Sequence, residues 1–280
     1  MGTLYVVGTP IGNLKDITLR ALETLRSVSL IAAEDTRVTR KLLDAYDIHT
    51  PMTSYFEHNK QQKIGYILNA LEQGDVALVS DAGMPGINDP GYELIRASIH
   101  AGHRVTVVPG PSAPIAALVI SGLPTDRFLY LGYVPRRTQE RRKTFQHLRH
   151  ERATLIFLEV PHRLVNTLAD AVEILGAERA CAVARELTKV HEEVFRGSLR
   201  EALDHYRHHP PRGELVLLVQ GSQEPATEHP WDMARIQEAA ELLAEAGLSP
   251  SQTARVLSRL LGIPKRTVYA YLTPHTDEDA

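Results

Sequence analysis

The chain carries a single cysteine, Cys181, in 280 residues. One thiol excludes an internal disulfide and every Cys-x-x-Cys zinc or iron-sulfur framework, so a reducing, cytoplasmic setting is expected. Long apolar runs are absent too: the longest, around Ala113 to Ile120, is far short of the roughly 20 residues that span a bilayer. The amino terminus has no basic stretch leading into an apolar one, so neither secretion nor membrane insertion is expected. Thirteen histidines are present, but no His-Glu-x-x-His or comparable pair occurs, and no metal is expected. The first strand-to-turn junction lacks Gly-x-Gly-x-x-Gly, and no Gly-x-x-x-x-Gly-Lys-Ser/Thr occurs anywhere, which counts against nicotinamide dinucleotides and P-loop hydrolysis. A net charge of -3 gives no global basic field, so any contact with nucleic acid must come from local patches.

What is present is a composition with a core: 43% hydrophobic and 23% charged residues over about two domains' worth of chain. Apolar, β-branched runs at Leu4 to Val7, Val28 to Ala32, Val76 to Val79 and Val105 to Val108 alternate with helical patterns, which predicts βα units and a mostly parallel sheet. A second set follows at Phe128 to Tyr133, Thr154 to Val160, Ala180 to Ala184 and Glu214 to Val219. The turn-rich Ser121 to Asp126 segment reads as the hinge between them. The expected organisation is one α/β domain over 1–121, a second over 122–222, and a helical carboxy-terminal domain over 233–280 after a polar linker at Gln220 to Pro230. Asp89-Pro90 and the Ser198/Glu201 capping box mark helix starts. In the tail, Ser249-Pro250-Ser251-Gln252 opens a helix over Ser251 to Leu261, and Gly262-Ile263-Pro264 breaks it. Ser258, Gly262 and Val268 then fall at positions suited to a helix-turn-helix, although an ordinary helical hairpin fits equally well.

Three strands run into loops of small residues: Gly8 to Asn13, Ser80 to Gly91, and Pro109 to Ala113. Ligands of open α/β sheets bind beyond the carboxyl ends of strands, so three such loops on one sheet edge predict a pocket. These loops, together with Glu159-Val160-Pro161-His162-Arg163, Ala184 to Lys189 and Arg212-Gly213-Glu214, resemble the tetrapyrrole methylase superfamily. Pro10 stands where the C-methylases have the middle glycine, and Ser80-Asp81-Ala82-Gly83 where they have Gly-Asp-Pro. These departures, with Glu34-Asp35-Thr36-Arg37, Phe56 to Asn59 and the basic tail, resemble the branch that methylates ribose 2'-hydroxyls of ribosomal RNA.

The resemblance implies an α/β fold of two domains with a cofactor cleft between them, plus a small helical carboxy-terminal extension. It implies S-adenosylmethionine in that cleft, bound by Pro10, Ile11, Asp81, Met84, Ser112, Ala113, Leu158 and Leu187. The implied acceptor is a cytidine ribose of small-subunit (16S) rRNA near the decoding centre, in the assembled 30S subunit, and the implied state is a homodimer. A ribose hydroxyl needs a proton acceptor within hydrogen-bond reach. The recognised motifs offer Glu34, Asp35, Glu159 and Glu186, with Glu57, His58 and His162 as further candidates. Each has an alternative reading as an ion pair, cap or turn residue. Arg163, Arg185 and Lys189 read as phosphate contacts, and Arg136 to Arg152 as a basic run for RNA attachment, if it is not simply a solvated helix face. Two rival functions stand beside this one. The first is a C-methylase of a tetrapyrrole or corrin precursor; the second is a non-catalytic nucleic-acid-binding regulator built around the tail.

Overall fold

The computed structural model describes residues 2–223, 233–262 and 264–272. Strands β1 (Thr3–Val7), β2 (Leu30–Ala33), β3 (Met52–Ser54), β4 (Val76–Val79) and β5 (Arg104–Val108) form one sheet in the order β3-β2-β4-β1-β5, every pair parallel. Helices α1 (Leu19–Ser27), α2 (Thr36–Ala45), α3 (Lys60–Gln73) and α4 (Gly91–His100) make the crossovers. Period-2 alternation shows in how the strands divide. Ile31, Ala33, Ala77 and Val79 face a core with Ala21, Leu22 and Leu25 of α1, whereas Leu30, Ala32, Val76 and Leu78 face one with Ile67 and Leu71 of α3. A sheet covered on both faces needs apolar residues at every position, which is why these strands read as continuous runs.

Helix α5 (Ala113–Ser121) leads to a second sheet of β6 (Phe128–Tyr133), β7 (Thr154–Glu159), β8 (Ala180–Arg185), β9 (Glu193–Ser198) and β10 (Leu215–Val219), in the order β6-β7-β10-β8-β9. Only β6 and β7 are parallel; the other three pairings are antiparallel. Helices α6 (Thr138–Leu148), α7 (Pro161–Leu175) and α8 (Leu199–His208) complete this half. One face of the sheet packs Leu155, Phe157, Val183 and Leu217 against them. The other packs Ile156, Ala182, Val216 and Leu218 against Ala117 and Leu118 of α5, with Ile11 and Leu187 at the margin. Helix α5 thus follows the first sheet in the chain but rests on the second, and residues up to Ser222 form one compact unit. Cys181 is buried, and burial pushes its thiol up to about 12.

Several local expectations shift. β2 starts at Leu30 because Val28 caps α1, its N–H bonding the Thr24 carbonyl. α4 begins at Gly91, since the Asp89 carboxylate turns back to accept from the amides of Gly86, Ile87 and Gly91. The Ser198/Glu201 capping box forms in both directions. The tail, residues 223–280, is a separate unit with α9 (Met233–Glu245), α10 (Pro250–Leu261) and α11 (Lys265–Leu272). Ile236, Ala240, Ala254, Leu257 and Val268 form its core, and Gly262 caps α10 in the left-handed region. Most of the expected linker (224–230), Ile263 of the helix break, and 273–280 lie outside the described residues.

Candidate functional site

β4, β1 and β5 are adjacent, so their three loops emerge side by side. Thr9 and Gly83 exchange backbone hydrogen bonds of 2.9 and 3.1 Å, and the Thr9 hydroxyl donates to the Ser80 carbonyl. Gly8 lies backbone to backbone on Gly110: a Cβ on Gly8 would stand 2.7 Å from the Gly110 Cα and 2.7 Å from the Met84 Sδ. Only glycine permits that approach. The loop after β4 is further held by Asn88, at φ 63, whose amide donates to the Tyr130 hydroxyl at 2.5 Å and so ties it to the second sheet. Ser112 occupies the N-cap of α5, yet its hydroxyl makes no bond to the helix.

Between these loops and β7, β8 and β10 lies a cavity of about 450 Å³. Six of the eight expected cofactor residues line it: Ile11, Met84, Ser112, Ala113, Leu158 and Leu187. The other two, Pro10 and Asp81, line a neighbouring cavity of about 340 Å³. Ile11, Ala82 and Glu214 border both. The sequence reading missed Tyr130, Tyr133, Ala184 and Val216 of the first cavity. The tyrosines carried a signal, two rings flanking Gly132 on one short strand, whereas Ala184 and Val216 are indistinguishable from core.

The four carboxylates expected as bases are not brought together. Glu159 borders the first cavity but is only 2% exposed. Its oxygens are taken by Arg163 at 2.6 Å, the Val160 amide and the Thr167 hydroxyl, both at 2.7 Å. Glu186, at φ 49, pairs with Lys189 at 2.9 Å and accepts from the Glu214 amide. The Lys189 hydrogen bond and then that amide hold its pKa below the usual range. Asp35 caps α2 and chelates Arg37, which holds its carboxyl down to about 2. Glu34 differs: among the described residues its carboxylate accepts only the Asp81 amide, at 3.2 Å, and burial, helped by neighbouring acids, raises its pKa. Asp81 accepts the Asp35 amide at 2.9 Å, and partial burial with the nearby Asp35 charge raises its pKa as well. Glu57 pairs with Lys60, and His162 is exposed in the first turn of α7.

The expected RNA-facing basic run does not hold at its centre. Arg141 is 5% exposed and reaches inward to Asp170 at 2.5 Å, and Arg142 bonds both Asp170 and Glu173. Arg136, Arg137 and Lys143 remain exposed. Arg163 and Arg185 are occupied by Glu159 and Glu193. Among the described residues no helix is long and apolar enough to cross a membrane.

The family profile of the tetrapyrrole (corrin/porphyrin) methylases matches residues 3–203. A protein of Synechocystis named ribosomal RNA small subunit methyltransferase I is 45% identical over 270 residues, 96% of each chain. The protein of that name from Bacillus subtilis is 41% identical over 96% of this chain and 93% of its own. The one from Thermotoga maritima is 47% identical over 224 residues, 80% of this chain and 100% of its own. Among solved structures, a diphthine synthase superposes with a TM-score of 0.63 at 14% identity, covering 79% of this chain and 90% of its own. Uroporphyrin-III-C-methyltransferase from Thermus thermophilus superposes at 0.56 and 22% identity, covering 78% and 94%.

Proposed function

We propose that this chain, which belongs to the tetrapyrrole (corrin/porphyrin) methylase family and within it to the ribosomal RNA small subunit methyltransferase I proteins, transfers a methyl group from S-adenosylmethionine to a ribose 2'-hydroxyl of small-subunit rRNA. The observation that carries the reading is the 45% identity across 96% of the chain to a protein of that name. The finer target is the one the family resemblance implies, a cytidine near the decoding centre in the assembled 30S subunit, modified in the cytoplasm. The tetrapyrrole C-methylase reading has only the shared fold behind it, at 22% identity.

The residues of the first cavity fit the donor. Its volume, about 450 Å³, lies within the range of small-molecule sites. Leu158, Leu187 and Ile11 offer apolar walls for an adenine, the free Ser112 hydroxyl a polar anchor, and Tyr130 and Tyr133 ring faces that tolerate a cation. When bound, S-adenosylmethionine supplies an electrophilic methyl group together with its own leaving group. The chain's task is then to position the acceptor and to take its proton. Glu34 and Asp81 suit the second task, because their raised pKa values make them stronger bases than ordinary carboxylates. Asp35, Glu159 and Glu186 are each neutralised by a cation.

Gly8→Ala should force the first and third loops apart, since its Cβ would meet backbone at 2.7 Å. The expected result is a tenfold or greater loss of S-adenosylmethionine affinity by calorimetry; an affinity within twofold of the parent would detach the glycine contact from the donor site. A homodimer is supported by α5, which is apolar all round but buries only one side, leaving Ile115, Val119 and Ile120 exposed. Sedimentation equilibrium should return the mass of two chains rather than one.

The functional test is transfer of labelled methyl from S-adenosylmethionine to small subunits that lack the modification, with naked rRNA and a tetrapyrrole precursor as parallel acceptors. Label on the subunits is expected. Label on the tetrapyrrole alone would overturn the acceptor and leave the donor site standing.

A further inference from the structure

The second cavity adjoins the first and takes in Pro10, Ile11 and Asp81 of the residues expected at the donor, but the rest of its lining is unlike that of the first. On one wall stand Leu14 and Val38, 45% and 39% exposed, large apolar side chains left open to solvent beside Pro10. On the rim stands Lys41, exposed on α2 and without an ion pair among the described residues, as are Arg40 beside it and Lys15. Lys189 reaches the cavity from the second sheet, held there by Glu186 and Glu214. Asp81 supplies a carboxylate, and Ile11, Ala82 and Glu214 are walls common to both cavities. An apolar face, a cationic rim and an acid wall, next to a donor site, match the base, the phosphate and the hydroxyl of one nucleotide.

From this we infer that the second cavity receives the acceptor nucleotide, extruded from its RNA, with the base against Leu14 and Val38, an adjoining phosphate on Lys41, and the ribose toward Asp81. The inference rests on the methyl-transfer reading and assigns its acceptor subsite. The volume of about 340 Å³ admits a single nucleotide and no helical segment, so the target must leave its stack before reaction. Lys41 thus offers at this mouth a cation without an ion pair among the described residues, whereas Arg141 and Arg142 are spent on internal acids.

The test compares Lys41→Glu and Val38→Asp, both exposed helix positions that should not disturb folding, with Lys143→Glu, an exposed reversal on α6 that lines neither cavity. Binding of small subunits, its salt dependence, KM, kcat and the S-adenosylmethionine Kd are measured for each. Lys41→Glu should weaken subunit binding and raise KM at least tenfold, with a salt slope shallower by about 1. Val38→Asp should lower kcat/KM at least tenfold, and all three variants should keep the donor Kd within twofold. If Lys41→Glu and Val38→Asp behave like Lys143→Glu while the parent protein methylates subunits, the pocket assignment is wrong and the methyl-transfer reading stands. A parent protein that transfers no methyl, yet loses RNA binding through Lys41→Glu, would keep the pocket and overturn the reading. A loss of donor affinity equal to the loss of RNA affinity would return the cavity to the donor and end the proposal.

Discussion

Replacing Asp81 by Asn should lower kcat for methyl transfer by about 10²- to 10⁴-fold, the usual worth of a positioned proton acceptor. The amide keeps an oxygen for the Asp35 N–H, now bonded at 2.9 Å, so the loop has no reason to move. Donor affinity should stay within threefold, because Asp81 lines the second cavity and not the first. The parent enzyme should also carry an acid limb in its pH profile. Activity needs the ionised carboxylate, so it falls as pH drops through the folded-state pKa. That pKa is raised, which puts the limb above the ordinary aspartate range of about 4. The Asn variant should lose that limb along with the rate. Stability should move the other way: a raised folded pKa means that ionisation costs stability as pH climbs through it, so at neutral pH the uncharged amide should be tolerated or slightly favoured. An Asp81→Asn enzyme with parental kcat and an unchanged acid limb would transfer the base role to Glu34, the other carboxylate with a raised pKa.

The second large effect is structural. Asp170→Ala should destabilise the fold by about 3–5 kcal/mol, since it strands the Arg141 guanidinium in the interior beside α7. At roughly 2–4 °C per kcal/mol for a unit of this size, the melting temperature should fall on the order of 10 °C. RNA affinity of the folded fraction should not change. Pairing Arg141→Met with Asp170→Leu should recover much of the loss, because a buried ion pair often yields to apolar residues of similar volume. A melting temperature within 2 °C of the parent for Asp170→Ala alone would show that Arg141 finds solvent, and would restore it to the basic surface.

Arg141 also shows where sequence reading reaches its limit. Seven basic residues with only two acids among them, from Arg136 to Arg152, look like a solvated face. The acids that neutralise Arg141 and Arg142 lie on α7, about thirty residues away, and nothing local announces them. The sheets were far more legible. β4 falls where its apolar run places it, because residues buried on both faces leave an uninterrupted signal, and β6 is found as well, although it is a largely exposed edge strand, because its run Phe128–Tyr133 is apolar and aromatic. β3 escaped because Met52–Ser54 is too short to show a period, and β9 because Glu193–Ser198 is an edge strand with mixed polarity.

At the site, what could be read were the loops whose backbone demands small residues. Gly8 and Gly83 are conformational necessities, one by close backbone approach and one at φ 80, and the loops they mark predicted a pocket, while the six cavity residues came from the family resemblance. What could not be read was the division of labour among the acids. The sequence put Glu34 and Asp35 among the candidate bases and Asp81 with the donor loop rather than among the proton acceptors. The distinction comes from Arg37 chelating one of them, and from burial raising the other two. The split into two cavities was likewise invisible, since Pro10 and Ile11 are neighbours in the chain, yet Pro10 lines the second cavity and not the first while Ile11 borders both.

The most direct measurement is nucleoside analysis of small-subunit rRNA after single-turnover methylation with labelled S-adenosylmethionine. Complete digestion to nucleosides, followed by mass spectrometry, separates a methyl on the ribose from one on the base. The account predicts label in 2'-O-methylcytidine and in no other nucleoside. Label on a base, or none on RNA, would contradict it.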